Sequence, residues 1–134
     1  MQTVVAGLIW REGKVLIAQR RPSDPHPLKW EFPGGKLEDG ETPERALVRE
    51  LEEELNIRAE IGPEFARYEY TYEGKASILL VFFEIRHYQG TIGPPVPFEA
   101  IRWEVPAALS SYDFLAGDLA LIQLLSEIHI DQIQ

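Results

Sequence analysis

The chain has 134 residues, 45% hydrophobic and 26% charged, with a formal net charge of −9 and no cysteine. Size and composition point to one soluble globular domain spanning residues 1–134, and no apolar run approaches the roughly 20 residues of a membrane-spanning helix. The acidic balance disfavours nucleic-acid polymers as partners, and the lack of cysteine excludes disulfides, thiolate metal sites and cysteine nucleophiles.

In chain order, Met1-Gln2-Thr3-Val4-Val5 lacks the basic start of a secretory leader, so a cytoplasmic protein is expected. Thr3 to Trp10 is rich in β-branched and apolar residues. Arg11-Glu12-Gly13-Lys14 supplies a turn, and Val15 to Arg20 returns, which predicts a β-hairpin. Pro22, Pro25 and Pro27 make the next segment an irregular loop. Trp30-Glu31-Phe32 leads into a Pro33-Gly34-Gly35 turn. Thr42 is a good N-cap, Pro43 a good first helical residue, and the helix runs to about Leu55 with Asn56 as a left-handed cap. Phe65 to Tyr72 and Ala76 to His87 predict a second hairpin around Glu73-Gly74-Lys75. A stiff loop at Gly93 to Pro97, a short strand from Ala100 to Val105 and an amphipathic helix from about Asp118 to Ile130 complete the chain. The helix is read from Leu121, Ile122, Leu124, Leu125 and Ile128. The fold class expected is α+β, a mixed β-sheet with helices packed on it.

On a wheel at about 100° per residue, Leu47, Val48, Leu51 and Leu55 of the central helix form one stripe. Glu50, Glu53 and Glu54 fall on the neighbouring arc, and Arg45, Arg49 and Glu52 on the far side, where solvent is expected. A solvated charged face is the ordinary explanation. Against it, Glu50 with Glu53 and with Glu54 are like-charge pairs that cost about 0.2–0.5 kcal/mol each. Glu54 also projects towards the apolar stripe, where a carboxylate loses solvation. A Mg²⁺ ion takes several carboxylate oxygens and offsets their repulsion. The wheel alone leaves metal site and solvated face evenly balanced. Gly34-Gly35 ahead of the helix permits a tight turn and offers a carbonyl ligand, and Glu41 adds a carboxylate at the helix entrance.

Gly35, Glu41 six residues on, and Arg49-Glu50-Leu51-Glu52-Glu53-Glu54-Leu55-Asn56-Ile57 together resemble the Nudix box. Asn56 stands where the family usually has glycine, and asparagine is the next-best residue for a left-handed cap. Ala18-Gln19-Arg20-Arg21, Trp30 to Lys36, and Tyr112 to Asp118 are similar to MutT-like members, which hydrolyse damaged or unwanted nucleoside triphosphates, including oxidised guanine and cytidine nucleotides. The resemblance implies a Nudix fold, a mixed sheet between helices. It further implies Mg²⁺ (Mn²⁺ substituting) held by Glu50, Glu53, Glu54 and the Gly34 carbonyl, with Glu50 as the base that activates water. Arg49 would hold the glutamates, Arg21 would contact phosphate, Phe32 would pack near the base, and Asp118 would read the base edge. Pro97 occupies the place of a further family metal ligand, and Glu99, slightly later, is the candidate replacement.

The reaction implied is attack of water on a phosphorus of a nucleoside triphosphate, giving monophosphate and pyrophosphate. Arg21 and Lys36 are expected to stabilise phosphate charge. His26 lies in the loop near the expected pocket and is a further substrate-contact candidate. His26, His87 and His129 are too scattered for a zinc cluster. Gly7 to Lys14 has the wrong spacing for a phosphate loop and ends in Val15 rather than a hydroxyl. Trp10, Trp30 and Trp103 read as packing residues, with Trp30 the best placed to line a pocket. Competing readings are hydrolysis of ADP-ribose or a dinucleoside polyphosphate, and a non-catalytic nucleotide-binding module. The partner expected is a small nucleotide, and the assembly a monomer or homodimer.

Overall fold

A computed structural model describes the backbone of residues 1–133 and the side chains of residues 1–127. β1 (Gln2–Arg11) and β2 (Lys14–Gln19) form the first hairpin, with Trp10 opposite Val15 and Arg11 opposite Lys14. Its turn residues Glu12 and Gly13 both have positive φ, 52° and 78°, as a two-residue hairpin loop requires. β3 (Trp30–Glu31) and β4 (Gly34–Lys36) follow the proline-rich loop, then α1 (Pro43–Leu55). Next come β5 (Arg58–Glu60), β6 (Glu64–Tyr70), β7 (Ile78–Ile85), β8 (His87–Gln89) and β9 (Ala100–Glu104). Two short 3₁₀ turns, Pro106–Ser111 and Ala116–Asp118, precede α2 (Leu119–Ile133).

β1 is the hub of a mixed sheet ordered β3-β2-β1-β7-β6. One edge of it runs parallel to β7 from Gln2 to Ile9. Its other edge is divided: Val4–Ala6 pair antiparallel with Lys36–Gly34 of β4, while Trp10 and Arg11 pair with β2. This division brings the Gly34–Lys36 segment, which leads into the glutamate helix, against the centre of the sheet.

Alternation along β1 sends its side chains to two cores. Val5 and Ile9 meet Leu47, Leu51 and Leu55 of α1, together with Val81, Phe83 and Ile85 of β7. Leu8 and Trp10 meet Phe82, Leu109, and Leu121 and Leu125 of α2 on the opposite face. Each leucine so buried contributes about 1.5–3 kcal/mol. The architecture is the expected sheet between helices.

Several local expectations are corrected. Leu124 is 38% exposed rather than buried with its neighbours on α2, and the side chains of Ile128 and His129 lie outside the described residues. Trp30 does not line the cleft described below; it is buried edge-on against Tyr112, ring centres 5.0 Å apart. The small β5–β8 sheet was not anticipated, since three-residue strands carry too little pattern to be read. The second hairpin forms, but its strands stop at Tyr70 and resume at Ile78, which leaves Tyr72 outside the ladder. Among the described residues, no helix is long and apolar enough to cross a membrane.

Candidate active site

α1 is capped as its sequence dictates. Thr42 Oγ1 accepts the Arg45 N–H at 3.2 Å, and Asn56 closes the helix in the left-handed region at φ 56°, its N–H bonded to Glu52 O at 3.0 Å. The asparagine thus does the conformational work of the glycine it replaces.

Arg49 does not lie in solvent. It folds back over the helix start, where Nε donates to Glu41 Oε2 at 2.7 Å and Nη2 to Glu41 Oε1 at 2.9 Å. Nη1 donates to Glu50 Oε1 at 3.0 Å and lies 3.5 Å from Glu53, and Nη2 also donates to the Lys36 carbonyl at 3.1 Å. The Arg49 hydrogen bonds, with help from the Glu38 N–H, hold the Glu41 carboxyl down to about 2.

Two glutamates lie against the glycine turn. A Cβ on Gly35 would sit 2.6 Å from both Glu50 carboxylate oxygens, so that carboxylate rests on bare backbone. Burial pushes the Glu50 carboxyl up, against the lowering effect of Arg49. Glu54 Oε1 accepts the Gly34 N–H at 3.1 Å. Burial first, then the charges of Glu50 and Glu31, push the Glu54 carboxyl up to about 8. Glu53 is the outlying member, its side chain 59% exposed.

Among the described residues, no three His, Cys, Asp or Glu side chains gather in a metal-holding group. The donors present nonetheless suit a hard divalent cation. They are carboxylates that burial first, and neighbouring negative charge second, makes reluctant to ionise, set on a glycine cradle that leaves the backbone open, and a cation there would offset both effects.

Beside this turn lies a cleft of about 250 Å³. Gly34, Gly35, Lys36 and Glu54 line it together with Phe32, His26, Tyr72 and Asp118. Phe32 is buried and stacked on Phe114, ring centres 5.3 Å apart. The exposed His26 ring leans on Tyr72 at 5.0 Å. Asp118 is only 6% exposed, yet its carboxyl has no hydrogen-bond partner among the described residues. Burial, then the charge of Glu31, pushes it up to about 8. Asp118 lines the cleft, and its carboxyl, without a partner among the described residues, is left available to a ligand there. A larger hollow, about 520 Å³ at Trp10, Arg11, Arg86 and His87, contains none of the helix carboxylates.

Not every candidate meets here. Arg21 is exposed, donates to the Val96 carbonyl at 3.0 Å and does not line the cleft. Arg20 does, tied to Glu31 at 3.0 Å and to the Pro25 carbonyl at 2.6 Å. Glu99 is exposed at the entrance to β9, its N–H on the Gln19 carbonyl at 2.8 Å, and it also lies off the cleft. Sequence reasoning missed Arg20, Glu31 and Tyr72. The β2–β3 register that sets Ala18 opposite Glu31 is the signal for the first two, and it is not local.

Comparison with known proteins matches this chain to the family described as the NUDIX domain over residues 1–125. A CTP pyrophosphohydrolase of Escherichia coli is 36% identical over 92% of this chain and 90% of its own. An 8-oxo-dGTP diphosphatase of Haemophilus influenzae is 37% identical over 94% of this chain and 93% of its own. The solution structure of the E. coli ORF135 protein superposes with a TM-score of 0.85 at 34% identity, covering 96% of this chain and 91% of that one.

Proposed function

Since the chain belongs to the Nudix hydrolase family, in its MutT-like branch, we propose that it cleaves a nucleoside triphosphate to the monophosphate and pyrophosphate, with Mg²⁺ (or Mn²⁺) held at the glutamate helix. Relatives named for CTP and for 8-oxo-dGTP support a role in clearing the nucleotide pool, with a cytosine or an oxidised guanine base. One observation carries the reading: a single cleft joins the glycine-backed Glu54 to the carboxyl of Asp118, which makes no hydrogen bond to the described residues.

Glu50, Glu53 and Glu54, with the Gly34 carbonyl, are the residues that would hold the cation. When bound, it supplies Lewis-acid activation of water and neutralisation of phosphate charge. Glu50 takes the proton of the attacking water; the new P–O bond forms as the bond to the departing pyrophosphate breaks. Arg49 fixes Glu50 from one side and Glu41 from the other, so the base keeps its orientation. Lys36 and Arg20 stand in the cleft to meet phosphate oxygens, with Arg21 and Glu99 outside it. Phe32 and His26 offer faces to the base, and Asp118 reads its edge.

The test is a screen of purified protein with Mg²⁺ against canonical, oxidised and methylated nucleoside triphosphates, ADP-ribose and dinucleoside polyphosphates. Release of pyrophosphate from a triphosphate is the expected result. Exclusive turnover of ADP-ribose or a dinucleoside polyphosphate would replace the substrate, and no turnover by folded protein would leave a binding module.

A further inference from the structure

Gly117 is held by two tyrosines, Tyr68 and Tyr72, that belong to no sequence motif. Tyr68 of β6 donates its hydroxyl proton to the Gly117 carbonyl at 2.6 Å. The Gly117 N–H donates to the Tyr72 hydroxyl oxygen at 3.0 Å. Two tyrosines from one strand and its turn therefore grip both polar groups of the residue directly preceding Asp118. The fit is close: a Cβ on Gly117 would lie 2.8 Å from the Tyr72 hydroxyl oxygen, so any side chain there would displace the tyrosine.

Tyr72 differs from Tyr68 in two respects. It lines the cleft, and Tyr68 does not. Its hydroxyl acts only as an acceptor towards the protein, so its own proton has no acceptor among the described residues. The ring is steadied from two sides, by His26 at 5.0 Å and by Tyr70 at 4.8 Å. The Thr71–Ser77 hydroxyl pair, 2.5 Å apart, closes the turn that carries it. Burial raises the Tyr72 phenol above its ordinary value, so at neutral pH the hydroxyl keeps its proton and is a donor.

Building on the nucleotide reading above, we propose that Tyr72 is a specificity-determining residue whose hydroxyl donates to a ring carbonyl of the bound base while Asp118 engages a neighbouring amino or imino edge. Cytosine and guanine each present a ring carbonyl and an exocyclic amine; adenine has no carbonyl. The pair therefore selects carbonyl-bearing bases over adenine. Tyr68 lies off the cleft and braces the Gly117 carbonyl as a structural contact only.

The experiment measures kcat and KM for CTP, 8-oxo-dGTP and ATP with wild type, Tyr72→Phe and Tyr68→Phe. Wild type is expected to prefer a carbonyl-bearing base over ATP. Tyr72→Phe keeps the ring and should shrink that preference about tenfold, the size of one lost hydrogen bond, through KM with kcat nearly unchanged. Tyr68→Phe loosens the same glycine and should lower Tm while leaving the preference intact. An unchanged preference in Tyr72→Phe, an equal change in Tyr68→Phe, or a wild type indifferent to the carbonyl would overturn the assignment while nucleotide hydrolysis stands. Absence of turnover for every triphosphate would instead bring down the nucleotide reading and this one with it. Should Tyr72→Phe fail to fold, wild type decides with GTP against 6-thioguanosine triphosphate, which keeps the amine and the N1 proton and replaces the carbonyl oxygen by sulfur, a weak acceptor. A rise of about tenfold in KM supports the contact, and equal KM values refute it.

Discussion

Arg49 grips Glu41 with two parallel hydrogen bonds, Nε to Oε2 at 2.7 Å and Nη2 to Oε1 at 2.9 Å, while its third nitrogen holds Glu50 at 3.0 Å. A single planar fork thus ties the carboxylate at the helix entrance to the proposed base. Two neighbouring negative groups become a fixed pair instead of a mutually repelling one.

An ammonium cannot reproduce that fork. Arg49→Lys keeps the charge but is expected to lower kcat at least tenfold, with KM changed less, because Glu50 loses its orientation rather than its chemistry. Steady-state pyrophosphate release with Mg²⁺ reads this directly. A kcat within twofold of wild type would show that the fork is ornamental.

Glu54 is held near Gly34 at a cost in solvation, its carboxyl raised to about 8. Glu54→Gln should therefore leave the metal-free protein at least as stable as wild type while cutting turnover by about a hundredfold or more. Glu53→Gln, at the exposed member, should cut turnover by orders of magnitude and barely move Tm. Thermal melts paired with kinetics separate the two effects; wild-type turnover in either variant would remove that residue from the metal site.

Asp118 sets a pH dependence whose sign is unusual for an acid. Unfolded, it loses its proton near 3.8; folded, it keeps it up to about 8. Between those values the folded state binds more protons, so raising the pH through this window removes stability. Asp118→Asn abolishes that contribution. Its Tm advantage over wild type should be small near pH 4, grow by several degrees towards pH 8 and level off above. A difference independent of pH would mean that the carboxyl ionises normally in the fold. The same variant should shift relative kcat/KM among bases more than it changes phosphate chemistry.

At the far end of α1, Asn56 holds φ at 56°. Asn56→Gly should be neutral within a few tenths of a kcal/mol, whereas Asn56→Ala should cost about 1 kcal/mol through the left-handed backbone. Urea titration resolves that difference, and equal stabilities would contradict the cap.

Metal removal gives the coarsest check. Excess EDTA should abolish turnover without unfolding the protein, and Mg²⁺ or Mn²⁺ should restore it. Full activity in EDTA, with far-UV circular dichroism unchanged, would exclude the cation from the reaction.

The glutamate helix was readable before any coordinates, because its signals are local: a Thr-Pro start, a leucine stripe at helical spacing and an asparagine at the end. The same periodicity placed Glu54 beside the stripe, and its half-buried carboxyl follows. Arg49 was the exception on that wheel. Its Cα faces away from the core, but a long side chain can fold back to a strong acceptor, and a wheel records only where the Cα points.

Sequence by itself determined the family, the two hairpins, the capped helix and the carboxylates it carries, since each depends on residues within a few turns or strands of one another. Tertiary structure decided which of them share a cleft. Arg20 rather than Arg21 enters it, and Glu99 and Trp30 stay out. Tyr72 enters from a turn that no motif singles out, and its hydroxyl meets Gly117 across 45 residues of chain. Those outcomes follow from strand register and from where a ladder ends. Both are set by packing between distant segments, which no local pattern of residues encodes.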